Sequence, residues 1–199
     1  MKTLILDCAV CPTVVIVENG KILASNKSEN QRSCDNYMLL IDDCFKKANL
    51  TINDIEEIAV NLGPGSFTGL RVSVSIAKAF GFGDKIKFKA FTSFDYLKGT
   101  NSPILLEAFS NFVYIKSNRK KPDCVEISNL SKTENYVTPS EQLAERLTLQ
   151  GYTVFHMLPM SFTDVLNEAI EVSSKQLMPL YLRKSQAEIQ RENKLKSRG

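Results

Sequence analysis

The chain has 199 residues, 43% hydrophobic and 24% charged, with a net charge of +3. That balance excludes wholesale disorder and allows one large domain or two small ones. Asp7, Glu18 and Lys21 interrupt the apolar N-terminal region, and no stretch approaches the roughly 18 to 20 apolar residues of a membrane span.

The charge is unevenly placed. Residues 183–199 hold six Lys/Arg against two Glu, which leaves 19 basic and 20 acidic residues in the first 182. The body therefore does not present a nucleic-acid surface by charge alone. The tail "RKSQAEIQRENKLKSRG" reads either as a solvated helix or as an RNA-touching segment. The start "MKTLILD" lacks a long apolar h-region and a small-residue cleavage pattern, so no signal peptide and a cytoplasmic address are expected.

Five cysteines, Cys8, Cys11, Cys34, Cys44 and Cys124, suit reduced thiols better than a disulfide framework. "CAVC" has the spacing of a zinc half-site or redox pair, but it has no second pair, and Pro12 with "TVVIV" follows where a redox motif would open a helix. Buried or turn cysteines are the simpler reading.

In chain order, "KTLIL", "TVVIVE" and "KILAS" are three β-branched or apolar runs. Asn19-Gly20 between the second and third is a type I′ hairpin signal. "CDNYMLLIDDCFKKANL" spaces Tyr37, Leu40, Ile41, Cys44, Phe45 and Ala48 for an amphipathic helix over 34–48. "IEEIAVNL" is a fourth strand, and "SFTGLRVSVSIAKAFGFG" a second helix ended by Gly81 and Gly83.

After a junction through Pro103 the pattern returns. "ILLEA", "FVYIKS" and "DCVEIS" read as strands, and "TPSEQLAERLTLQG" as a helix with Thr138 at N-cap, Pro139 at N1 and Glu141 at N3. "YTVFH" is a strand and "SFTDVLNEAIEVSS" a helix opened by Ser161 and Asp164. Two βββαβα units are the layout of a two-lobed α/β fold, that of actin, hexokinase and the heat-shock ATPases (ribonuclease H-like). The expected lobes are 1–101 and 102–199.

That layout suggests an ATP-using enzyme, and "NLGPGSFTGLR" is where its anion site would lie: a strand entering a helix through Gly63, Pro64, Gly65, Ser66, Thr68, Gly69 and Arg71. Stock motifs do not fit. Gly65 and Gly69 are one residue too close for a P-loop, and Leu70-Arg71 replaces its Lys-Ser/Thr. Pro64 stands where a nucleophile elbow needs glycine.

His156, the only histidine, would have to carry any metal or relay chemistry alone, and it reads as a strand-end residue. The second half has only Gly151 and Gly199 after Pro103, too few for its share of a nucleotide cleft. Asp7 ends the first strand either as a metal-type carboxylate or as a turn cap.

Gly69, Ser73, Ala77 and Gly81 recur every four residues along the second helix, leaving one flank nearly bare. The stripe serves packing inside the chain or, with Tyr37, Ile41, Cys44 and Phe45, docking of another subunit. Ser66 or Thr68 would cap the helix. Arg71 either pairs with a partner carboxylate or is solvated.

"NLGPGSFTGLRVSVSIAKAF", with the opening "ILD", "TPSEQLAERL" and "PLYLRKSQAE", resembles the TsaB (YeaZ) family, non-catalytic relatives of the threonylcarbamoyl transferase TsaD. The resemblance implies an accessory subunit, with no metal or cofactor of its own, for making threonylcarbamoyladenosine beside the anticodon of tRNA. Implied partners are TsaD and the ATPase TsaE, with a homodimer as a further state and tRNA met through the complex. It also places the contact on the two N-terminal-half helices. The chain departs from the family pattern at Asp7-Cys8, where Asp-Thr or Asp-Ser is usual, and at Ser33-Cys34, where His-Ser or His-Thr is. The alternative class is a self-sufficient kinase or glycopeptidase-like enzyme.

Overall fold

The computed structural model describes residues 1–28, 34–83, 85–118 and 120–183. The first half runs β1 (Lys2–Asp7), β2 (Thr13–Glu18), β3 (Lys21–Lys27), α1 (Tyr37–Ala48), β4 (Glu57–Asn61), α2 (Phe67–Phe80) and β5 (Lys87–Phe91). The second runs β6 (Ile104–Glu107), β7 (Phe112–Ser117), β8 (Lys120–Glu126), β9 (Asn135–Thr138), α3 (Glu141–Leu149), β10 (Thr153–His156), α4 (Phe162–Glu168) and β11 (Ile170–Val172).

The two sheets repeat one topology. In the first the order is β3-β2-β1-β4-β5, with β11 added antiparallel beside β5. In the second it is β8-β7-β6-β9-β10. Each begins with an antiparallel meander and adds two strands parallel to its first. This is the two-lobed actin-like architecture the strand pattern predicts.

The β2–β3 turn is as expected, with Asn19 at φ 49° and Gly20 at φ 78°. The first helix starts at Tyr37, not at residue 34, and Asn36 before it gives no side-chain cap. The second half departs from the expected βββαβα order. A 3₁₀ turn, Ile127–Asn129, stands where the first crossover helix belongs, and α3 follows the fourth strand.

Three strands escape the sequence reading. In "KFKAF" lysines alternate with inward Phe88 and Ala90, so one face of the strand looks like a loop. In "NYVT" Thr138 is ladder and not N-cap. That role falls to Ser140, whose side chain accepts from the Leu143 N–H. β11 occupies the end of the expected last helix, which stops at Glu168. Ser161 does cap α4, accepting from the Asp164 N–H.

Helices α1 and α2 share one face of the first sheet, where Leu4, Leu6, Val14, Ile16, Ile58 and Val60 meet Tyr37, Ile41, Val74 and Ala77. Helix α4 covers the opposite face through Val165 and Leu166. Helix α3 packs Leu143 and Leu147 on the second sheet. No described helix is long and apolar enough to cross a membrane.

Candidate functional site

The C-terminal ends of β1, β4 and β5 meet around Asp7, which is only 8% exposed. One carboxylate oxygen accepts the Ala9 N–H at 2.9 Å. The other accepts from Asn61 Nδ2 at 3.0 Å and from the Tyr96 hydroxyl at 2.7 Å. Ser93 joins through Asn61 and donates to the Pro64 carbonyl at 2.9 Å. The Gly63 N–H donates to Asn61 Oδ1 at 2.8 Å. Both oxygens of Asp7 are thus held by the chain's own donors, so of the two sequence readings the geometry is that of a turn-organising carboxylate. Burial, reinforced by the Asp7 charge, raises the Tyr96 hydroxyl far above its ordinary range.

The glycine loop sits on this turn. A Cβ on Gly65 would lie 2.2 Å from the Ala9 carbonyl oxygen, and one on Gly69 would lie 2.1 Å from that of Cys8. Gly63 takes φ +104° and forms a cis bond to Pro64. Ser66 donates its N–H to the Ala9 carbonyl at 2.7 Å and caps α2 by accepting the Gly69 N–H at 3.2 Å. Thr68 is exposed and does not cap. Gly65 and Gly69 therefore serve to bring two backbones together.

Arg71 is exposed, and one of its donors is engaged within the chain. Its Nε donates to the Tyr181 hydroxyl at 2.8 Å. Tyr181 stacks on Phe67 with centroids 4.6 Å apart. Arg183 lies 4.9 Å from the Phe67 centroid and 4.3 Å from that of Phe109, and its Nε donates to the Tyr114 hydroxyl. Phe109 stacks in turn on Phe112. Leu180 donates its N–H to the Leu62 carbonyl at 2.7 Å. Residues 177–183 therefore strap the glycine loop to the β6–β7 hairpin, and Arg183 is sandwiched between the ring of Phe67 at the start of α2 and that of Phe109 in the β6–β7 turn. Sequence reasoning misses Tyr96, Tyr181 and Arg183 as site residues because their partners are 89, 110 and 69 positions away.

The docking residues expected from sequence lie inside the chain. Tyr37, Ile41, Cys44 and Phe45 are buried under α1, and Gly69, Ser73 and Ala77 under α2. The small-residue stripe admits Cys8 at Gly69 and the Phe88 ring at Gly81, so the internal-packing reading accounts for it. An Ala77→Leu change would overpack the monomer itself, not just an interface. The faces these helices leave outside carry Met38 and Leu39, 51% and 62% exposed, beside Asp42, Asp43, Lys46 and Lys47 on α1, and Ser75, Lys78 and Ala79 on α2.

His156 is an exposed strand-end residue. Cys8 and Cys44 are buried, and Cys11, Cys34 and Cys124 half-buried, all as free thiols. Burial raises the Cys8 thiol well above its usual value, and the Cys34 thiol is its hydrogen-bonding neighbour, so one of the two departures from the family pattern touches the other. Ser33 and the tail 184–199 lie outside the described residues. Among the described residues no three His, Cys, Asp or Glu side chains gather into a metal site.

Fold and site together define a protein of the two-lobed actin-like fold whose glycine loop packs on the backbone that follows its own first strand. A family model described as "TsaD: tRNA N6-adenosine threonylcarbamoyltransferase" matches residues 27–101. The chain is 35% identical over 76 residues to a TsaB protein of Buchnera aphidicola (subsp. Baizongia pistaciae), covering 38% of this chain and 34% of that one. It is 26% identical over 110 residues to TsaB of Haemophilus influenzae, covering 51% and 47%. The matches thus span between a third and a half of these relatives' length. A crystal structure of a Pseudomonas aeruginosa protein with similarity to peptidase YEAZ superposes with a TM-score of 0.69 at 17% identity, over 92% of this chain and 99% of that one. The resemblance to the TsaB (YeaZ) family holds in sequence over part of the chain and in fold over nearly all of it.

Proposed function

We propose that the chain is the TsaB-type accessory subunit for threonylcarbamoyladenosine formation in tRNA, and that it docks a TsaD-type threonylcarbamoyl transferase without catalysing the transfer. The supporting observation is Asp7. It stands at the strand end where kinases of this fold keep a reactive carboxylate, yet both its oxygens are occupied by Ala9, Asn61 and Tyr96. Three of the about four acceptor sites of that carboxylate are taken by the chain's own donors, which favours a structural role for it over metal or phosphate chemistry. TsaE would join the pair, and tRNA would be met through the transferase.

The docking surface is the outer face of α1 and α2, centred on Met38 and Leu39. Two large exposed apolar side chains side by side, rimmed by charges of both signs, fit the apolar-centre, polar-rim anatomy of a protein interface. The buried residues Tyr37, Ile41, Cys44 and Phe45, with Gly69, Ser73 and Ala77, act behind that face by fixing how the two helices lie on the sheet. The N-terminal lobe is the docking lobe, and a homodimer through the same face would compete with the transferase.

Co-purification with the same organism's transferase tests the reading. The two are expected to co-elute at micromolar concentration, and Leu39→Lys is expected to abolish co-elution while circular dichroism stays unchanged. Separate elution of the unaltered proteins would refute it. So would ATP or peptide turnover by the chain alone that Asp7→Asn abolishes.

A further inference from the structure

Strand β10 is an edge of the second sheet, bonded on one side to β9. The other three sheet edges among the described residues carry devices that discourage pairing with another chain. β3 has Lys21 and Lys27 and a register shift against β2, β8 has Lys120, Lys121 and Pro122, and β11 is three residues long with Glu171 at its centre. β10, Thr-Val-Phe-His, holds no lysine, no proline and no bulge, and its Phe155 is 55% exposed.

Beside this edge α3 forms an open groove of about 560 Å³ lined by Glu141, Glu145 and Leu149 on the helix and by Val154 and His156 on the strand. Neither glutamate makes a hydrogen bond or ion pair among the described residues. The strand alternates, so Val154 and His156 face the helix while Phe155 faces the other way. An extended occupant is therefore offered a main-chain edge, an acidic helix flank on one face and an apolar ring on the other.

We propose that this edge takes an extended segment of another protein, added as a strand beside β10, with Lys or Arg at alternate positions and apolar residues between them. Main-chain hydrogen bonds to β10 supply affinity, the cationic side chains reach Glu141 and Glu145, and the apolar ones lie against Phe155. Charge selects this occupant over a second copy. Two-fold pairing of β10 with its own copy would set both α3 helices on the same face of the joined sheet, so that glutamates confront glutamates.

The surface lies on the second sheet, apart from the outer face of α1 and α2, and does not rest on the accessory-subunit reading.

The probe is a fluorescein-labelled heptapeptide of alternating lysine and valine, titrated onto the full-length protein by anisotropy, with hydrogen exchange read by mass spectrometry over residues 153–157. Binding should slow exchange there by about tenfold or more at saturation. A peptide with glutamate in place of lysine loses the charge match, and one with two central prolines loses main-chain donors, so each should bind about tenfold more weakly or worse. E141K/E145K should weaken the lysine peptide as much, with circular dichroism checking its fold; the peptide controls need no change to the protein. Failure of the lysine peptide to bind, equal affinity for the lysine and glutamate peptides, or binding without protection at 153–157 each overturns the proposal. So does exchange at 153–157 that is already slow without peptide: slow at every concentration, the chain covers its own edge; slow only when concentrated, a second copy does.

Discussion

The two halves solve the same turn differently. Between β4 and α2 the chain spends residues 62–66 with two glycines, and between β9 and α3 only Pro139 and Ser140. Both turns end on a serine whose hydroxyl accepts the N–H three residues on, at 3.2 Å in each case. The extra length in the first half is therefore not needed to start a helix. It lays the loop across the end of β1, where Asp7 is buried, while Glu107, at the matching end of β6, is exposed. A buried carboxylate needs donors on every side, and the glycine loop with β5 and Tyr96 provides them.

Breaking the first turn should cost most. Gly69→Val would drive a side chain into the Cys8 carbonyl and should lose about 3 kcal/mol or more in urea denaturation. Gly151→Ala in the second half strains a φ of +84° and meets only the Lys132 side-chain nitrogen, at 3.6 Å, so it should lose about 1 kcal/mol.

Asp7→Ala strips three donors of their acceptor and should cost about 3 kcal/mol by the same measurement, whereas Glu107→Ala should stay within about 0.5 kcal/mol. Equal losses at Asp7 and Glu107 would erase the contrast between the halves.

Alkaline titration sharpens it further. The Cys8 thiol is raised above its ordinary 9.0 and the Tyr96 hydroxyl above 10.0, both chiefly by burial. Below pH 9 folded and unfolded chains hold these protons alike. Above it the unfolded chain releases protons that the folded chain keeps, so stability falls as pH rises, by up to about 1.4 kcal/mol per pH unit for each group. Cys8→Ala should remove one group's share of that slope, and an unchanged slope between pH 9 and 10 would contradict it. Arg183→Ala removes the cation between Phe67 and Phe109 and should cost about 1 kcal/mol in urea denaturation.

Much of the architecture is legible in the sequence because hydrophobic period and turn chemistry act locally. Asn19-Gly20 specifies its hairpin, the apolar spacing specifies α1 and α2, and Ser161 caps α4. The short strands β5, β9 and β11 are less visible, since they are three to five residues long and gain their order from neighbours elsewhere in the chain. The glycine-rich turn announces that something must come close there. That the visitor is the chain's own Cys8–Ala9 backbone, and not an anion, is a tertiary fact.

The amino-acid order by itself determined where helices and hairpins begin and which faces are apolar, because those preferences are set within a few residues. Only the tertiary structure decided that the small-residue stripe faces inward, that Arg71 and Arg183 are taken up by Tyr181, Phe67 and Phe109, and that both Asp7 oxygens accept from the chain's own donors. Such pairings join positions up to 110 residues apart, and contact between distant positions follows from packing and not from spacing.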